Sequence, residues 1–217
     1  MTLVIFDMDG TMLDTERISN ICWESAAQQM GFAQASEVYE SMFRQMVGTN
    51  MANCKAVIQR HLGKDFDIEA GYALHLNLMD DYYKTHGIPM KPGLIPLLDK
   101  LEQLNIKKCV ATSSQRERAT HKLESINIAH RFEVIVGGND VKNSKPSPDI
   151  FLKAAELCNT PPAECLVLED SAAGTEGGYR AGMKVINIPD ILQPSEETRK
   201  MAFAVCKDLF EVMTIFS

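Results

Sequence analysis

The 217-residue sequence has no run of basic residues, no C-x-x-C pair and no apolar stretch near the length of a membrane span. Its 22 Lys and Arg are outnumbered by 29 Asp and Glu, giving a formal net charge of −7. That balance argues against a nucleic-acid partner, but it admits an anionic small substrate where a metal and a lysine set the local field. Cys22, Cys54, Cys109, Cys158, Cys165 and Cys206 show no zinc spacing. Cys109 and Cys165 fall in apolar runs, where a thiol acts as a small hydrophobe, so the chain is expected to be a reduced, cytoplasmic protein. The N-terminal apolar stretch has no basic leader and ends at Asp7, unlike a secretory signal. No segment approaches the roughly 18 apolar residues of a transmembrane helix, so no membrane association is expected. Internal repeats and low-complexity tracts are also missing. No feature forces a dimer, and a monomer is expected.

What is present is an ordinary globular composition, 45% hydrophobic and 24% charged, with a conspicuous beginning. Leu3-Val4-Ile5-Phe6 reads as a buried strand and runs directly into Asp7-Met8-Asp9-Gly10-Thr11. Side chains alternate faces along a strand, so Asp7 and Asp9 reach one site only if the strand ends and bends there. Gly10 supplies the freedom for that bend. Two acids at one point repel each other unless a cation lies between them, and hard oxygen ligands suit Mg²⁺. Taken alone, the same string also fits an Asp-Gly turn on the surface.

Three later segments repeat the arrangement of apolar run followed by polar loop. Cys109-Val110-Ala111 leads into Thr112-Ser113-Ser114, Val134-Ile135-Val136 precedes Asn143-Ser144-Lys145-Pro146, and Leu166-Val167-Leu168 leads into Glu169-Asp170-Ser171. With these four strings in order from Asp7 to Asp170, the chain resembles the haloacid-dehalogenase superfamily. Within it, the resemblance is to the branch of β-phosphoglucomutase and small-molecule sugar phosphatases.

The order of elements supports an α/β fold. A strand over 2–7 is followed by helical periodicity over 15–31, where Ile18, Ile21, Cys22, Ala26 and Met30 share a stripe ending at Gly31. Segments near 36–46, 50–62 and 67–86 also favour helix, and Pro89 with Pro92-Gly93 marks a boundary. Beyond it the pattern predicts helix 93–104, strand 107–112, helix 115–127, strand 133–136, helix 148–158, strand 165–169, helix 172–181 and strand 184–188. Strands alternating with helices imply right-handed βαβ units, hence a doubly wound, Rossmann-like parallel sheet with its chemistry at the carboxyl ends of the strands. The resemblance further implies that 15–87 form an inserted α-helical cap domain, with 1–14 and 88–217 forming the core.

The resemblance also implies roles. Asp7 would be the nucleophile and a Mg²⁺ ligand, and Asp9 the general acid and base, contributing its backbone carbonyl to the metal. Lys145, held by Pro146 and Pro148, would bridge the nucleophile and the phosphoryl oxygens as a point charge. Asp170 would bind the metal directly, with Glu169 acting through water or as support. Thr112 and the backbone N–H of Ser113 would hold the phosphoryl group before a helix N-terminus, although Ser113 or Ser114 equally suits the N-cap of that helix. Ser171 reads as an N-cap. His61, His75, His86, His121 and His130 lack ligand spacing and are expected to be structural or exposed.

The core motifs serve a mutase as well as a phosphatase. Mutases of the branch carry a histidine in the first cap helix, ten residues beyond the second aspartate, and Ser19 stands there. They also place an arginine after a glycine in a cap loop, where Val47-Gly48-Thr49-Asn50-Met51 offers Met51. A bisphosphate intermediate needs those cations, so the expectation is a Mg²⁺-dependent phosphatase of a small phosphorylated metabolite, a sugar phosphate foremost. Ser19, Trp23, Thr49 and Asn50 are its candidate substrate contacts. A β-phosphoglucomutase-like phosphomutase is the alternative within the branch, and a non-catalytic phosphometabolite-binding protein the alternative outside it. Intact Asp7, Asp9, Lys145 and Asp170 argue against the latter. Dehalogenase activity is not expected, because Asp9-Gly10-Thr11 follows the phosphatase pattern.

Overall fold

The computed structural model describes every residue except Gly48, Asn50 and Ser217, and for Met51 and Ala52 the backbone alone. Leu3–Phe6 forms β1, and all four of its side chains are fully buried, which is why this run carries no polar residue. In chain order there follow α1 (Glu16–Gln29), α2 (Ser36–Met46), α3 (Met51–Leu62), α4 (Ile68–His86) and α5 (Leu94–Gln103). Next come β2 (Lys107–Ala111), α6 (Arg116–Ser125), β3 (Ile135–Val136), α7 (Asp149–Leu157), β4 (Cys165–Glu169) and α8 (Ala172–Arg180). β5 (Lys184–Asn187), α9 (Glu196–Met201), β6 (Ala204–Val205) and α10 (Leu209–Met213) complete the series. The chain divides into two compact units, Met1–Leu13 with Pro89–Ser217, and Asp14–Ile88.

In the first unit the described strands form a six-stranded, fully parallel sheet in the order β3-β2-β1-β4-β5-β6. β1 is central, with Ile5 paired to Cys109 on one side and Val167 on the other. From β1 the chain winds outward to β2 and β3, returns to β4, then winds outward the other way. The carboxyl ends of β1 and β4 therefore meet at the point where the winding reverses, the place where open α/β sheets bind ligands. One face of the sheet packs Leu3, Ile5, Cys109 and Val167 against Ile150, Phe151 and Ala154 of α7. Each of the leucine, isoleucine, valine and phenylalanine side chains among them contributes roughly 1.5–3 kcal/mol by leaving water.

In the second unit α1 packs on α4, and α2 on α3. Ile18, Cys22 and Met79 form a core that is covered by Leu78, Tyr82 and Tyr83. The indole of Trp23 stacks on the His75 ring, centroids 4.5 Å apart and planes 15° apart, so this histidine is a packed core group. Asp67 caps α4 by accepting from the Ala70 amide, and Gly87 ends it at φ +77°.

The tertiary setting alters several expected bounds. β3 keeps strand geometry over only two of the four expected residues, because it is a sheet edge with β2 as its single neighbour. Residues 133–134 still bond β2, through Glu133 N to Lys108 O and Val110 N to Val134 O. The helix after β2 begins at Arg116 with Gln115 as its N-cap, so neither Ser113 nor Ser114 fills that role. Ser171 does cap α8, accepting from the Gly174 amide at 3.0 Å. Beyond β5 the sequence pattern points to no element, and the structure adds α9, β6 and α10.

Candidate active site

The turn after β1 is closed by its own backbone. The Asp7 amide continues the ladder to Leu168 O at 2.9 Å, and Met12 and Leu13 both donate back to Met8 O. Buried Met8 anchors the turn between the two aspartates. Gly10 at φ +89° lets the chain fold against Asp170.

Asp7 is 6% exposed and its Oδ1 accepts from Lys145 Nζ at 2.5 Å. The same ammonium donates to Glu169 Oε1 at 2.6 Å and to Ala111 O at 3.2 Å, and it lies 5.1 Å from the centroid of the Phe151 ring. Its loop is tied locally: Asp149 accepts from Ser147 Oγ at 2.5 Å and Asn143 Nδ2 at 2.9 Å. Burial pushes the Asp7 carboxyl well above its ordinary range, Lys145 pulls it down, and Glu169 and Asp9 push it up again. For Lys145, burial opposes the charge, but Asp7 and Glu169 outweigh it and hold the ammonium above its usual range.

Glu169 and Asp170 stand at the end of β4. Glu169 is 1% exposed, and its Oε2 accepts from the Ser171 amide at 2.7 Å and the Ser171 hydroxyl at 2.9 Å. Asp170 Oδ1 accepts from Thr11 Oγ1 at 3.1 Å, and its backbone carbonyl accepts from Asn187 Nδ2 at 3.3 Å. Carboxylate oxygens of Asp7, Glu169 and Asp170 lie within 4.8 Å of one another. Among the described residues, four carboxylates here (Asp7, Asp9, Glu169, Asp170) meet two ammoniums, Lys145 and Lys122. An all-oxygen donor set with excess negative charge fits a hard divalent cation.

Thr112 directly follows β2. It is 1% exposed, and its hydroxyl oxygen accepts the Ser114 amide at 3.1 Å, leaving the hydroxyl proton to donate. Ser113 follows, exposed. The first amide of α6, that of Arg116, is already taken by Asn139 Oδ1 at 2.8 Å. Ser114 Oγ donates to Asp9 Oδ2 at 2.8 Å, and Lys122 Nζ donates to Asp9 Oδ1 at 2.7 Å. Lys122, Thr11 and Asn187 were not singled out from the sequence as site residues. Thr11 is part of the first string and was within reach, whereas nothing local marks Lys122 or Asn187.

The structure thus gathers Asp7, Asp9, Thr112, Lys145, Glu169 and Asp170 at the carboxyl ends of β1, β2 and β4, within one unit. Ser19 and Thr49 belong to the other unit. Ser19 Oγ is 3.0 Å from His75 Nε2, and Thr49 Oγ1 donates to Met46 O at 2.8 Å. Asn50 lies outside the described residues.

A profile of the family described as haloacid dehalogenase-like hydrolase matches residues 4–188. Hexitol phosphatase A of Escherichia coli (strain K12) is 32% identical over 188 residues, covering 85% of this chain and 81% of that protein. A protein of Thermotoga maritima named phosphorylated carbohydrates phosphatase is 28% identical over 186 residues, covering 86% of this chain and 84% of the relative. The crystal structure of CbbY from Rhodobacter sphaeroides in complex with phosphate has a TM-score of 0.80 at 24% identity, covering 98% of this chain and 96% of that one. At that identity the likeness is one of fold.

Proposed function

The chain belongs to the haloacid dehalogenase-like hydrolase family and is a phosphatase, and from that premise we propose that it hydrolyses a small phosphorylated carbohydrate with Mg²⁺. The observation that carries the proposal is the buried ammonium of Lys145, which joins Asp7 to Glu169 beside Asp170. Asp7, Asp170, Glu169 and the backbone carbonyl of Asp9 would hold the metal. When bound, Mg²⁺ supplies positive charge against the phosphoryl oxygens.

The protein's own groups divide the chemistry into two steps. Asp7 attacks phosphorus, forming an aspartyl-phosphate as the bond to the carbohydrate oxygen breaks, and Asp9 gives that oxygen its proton. Asp9 then takes a proton from water as it attacks the aspartyl-phosphate, releasing inorganic phosphate and restoring Asp7. Lys145 offsets charge on the nucleophile and then on the transferring group. The Thr112 hydroxyl and the Ser113 amide are donors for the remaining phosphoryl oxygens. By resemblance, the Asp14–Ile88 unit is the cap that selects the substrate, with Ser19, Thr49 and Asn50 among its contacts.

The test is phosphate release from a panel of phosphorylated sugars and polyols, with and without Mg²⁺, with Asp7→Asn as the blank. Metal-dependent release confined to a few compounds is the expected result. Release by folded Asp7→Asn at the wild-type rate would remove the nucleophile assignment. Absence of release from every compound would turn the reading to phosphate transfer within the substrate.

A further inference from the structure

Both oxygens of the Asp9 carboxylate are held from one side of the site. Ser114 Oγ donates to Oδ2 at 2.8 Å from the loop after β2, and Lys122 Nζ donates to Oδ1 at 2.7 Å from the body of α6. Lys122 is not a solvated surface lysine, since its side chain is 11% exposed and its partner's 22%. Holding a long, flexible side chain in so restricted a place costs rotamer entropy, and the charge-assisted bond to Asp9 offsets it.

We propose that Lys122 is the positioning residue for Asp9: it fixes the direction of the acid–base carboxylate and supports turnover through Asp9. Proton transfer requires hydrogen-bond geometry at the reacting oxygen, and a carboxylate on a turn swings about two torsions unless it is tethered. A helix is a stiffer anchor than a loop, and α6 stands beside the loop carrying Thr112 and Ser113. One helix thereby sets the acid–base group in register with the donors of the transferring phosphoryl group. Ser114 fixes one carboxylate oxygen and Lys122 the other, so the two donors together define the plane of the carboxylate.

The proposal rests on the phosphatase reading for Asp9, and the experiment separates the two. Lys122→Met, Lys122→Arg, Asp9→Asn and the Asp9→Asn/Lys122→Met double variant are assayed with Mg²⁺ on glucose 6-phosphate and p-nitrophenyl phosphate, with melting temperature recorded for each. Lys122→Met is expected to lower kcat by about tenfold or more while KM stays within about twofold, the signature of a misplaced group that does not bind substrate. Lys122→Arg restores most of the loss, because it returns a cation to Asp9. The double variant is expected to be no slower than Asp9→Asn, because Lys122 acts through Asp9.

Unchanged kcat in Lys122→Met overturns the proposal. So does a rise in KM at constant kcat, which would make Lys122 a substrate contact, or a double-variant loss equal to the product of the single losses. A fall in melting temperature with kcat intact would reduce the pair to a structural tie, and also overturns it. Wild-type protein that hydrolyses neither probe nor any compound of the sugar- and polyol-phosphate panel removes the phosphatase reading and this proposal with it, an outcome distinct from an active enzyme indifferent to Lys122.

Discussion

A Cβ placed on Gly10 would lie 2.5 Å from Asp170 Oδ2 and 2.7 Å from its Cγ. The turn that follows Asp7 and the acid just beyond β4 are thus fitted together with only a hydrogen atom between them. Gly10 also sits at φ +89°, where a side chain is strained whatever the space. Gly10→Ala is expected to cost about 1–3 kcal/mol in stability from the backbone alone, and to displace the Asp170 carboxylate. Denaturant unfolding measures the first effect and calorimetric titration of Mg²⁺ the second. Wild-type metal affinity in the variant would show that the acid does not depend on this close approach.

Removing the ammonium between Asp7 and Glu169 leaves two carboxylates buried without their cation. Lys145→Met is expected to abolish phosphate release and to destabilise the metal-free protein by about 3–5 kcal/mol, the scale for breaking a buried ion pair at one partner. Added Mg²⁺ is expected to recover part of that loss through the same acids. Unfolding curves with and without metal read both effects, and equal stability of variant and wild type without metal would contradict the assignment.

Asn187 ends β5 and donates from Nδ2 both to the Asp170 carbonyl at 3.3 Å and to Thr175 Oγ1 at 3.0 Å. Its Oδ1 is buried with no hydrogen-bond partner among the described residues, so the amide is not optimised for stability. Asn187→Leu should therefore weaken Mg²⁺ binding by about tenfold, as loss of a group supporting a ligand does, with a far smaller effect on the fold. Titration calorimetry beside a melting curve distinguishes this from general destabilisation.

A pH dependence follows from the pairing of Glu102 with Arg131. Hydrogen bonds from Arg131 hold the Glu102 carboxyl at about 2 against an ordinary 4.5, with slight burial opposing and Lys108 assisting. A carboxyl lowered on folding stabilises the protein above its unfolded value and loses that contribution as pH falls toward the folded one. Glu102 is 45% exposed, so the contribution is about 0.5–1 kcal/mol after allowance for screening. Arg131→Met should thus be less stable than wild type by a constant margin from pH 8 to about 5, narrowing as the pH drops below about 4.5. A margin that widens in acid would reverse the sign of the argument.

Much of the fold was readable because its signals are local. Leu3-Val4-Ile5-Phe6 has no polar residue to place, and its only stable setting is between two strands. The helix at 36–46 follows from its helix-favouring residues, and the strand 165–169 with the helix 172–181 behind it from the apolar run and from Ser171 as a cap. β6 was not readable, since two residues become a strand only by pairing with Ile186 and Asn187. Nor was the shortening of β3, which depends on its having a neighbour on one side alone.

Which groups stand at the strand ends is legible along the chain: Asp7 and Asp9, Thr112, Lys145, Glu169 and Asp170 each follow an apolar run or lie in a loop stiffened by proline. Tertiary structure decided how these groups are paired. The sheet order sets β1 between β2 and β4, so Lys145 reaches both Asp7 and Glu169, and Lys122 reaches Asp9 across 113 residues of chain. Hydrophobic periodicity is a property of neighbours in sequence and can be read along the chain. Coulomb energy depends on distance in space and on burial, neither of which exists until the strands have assembled.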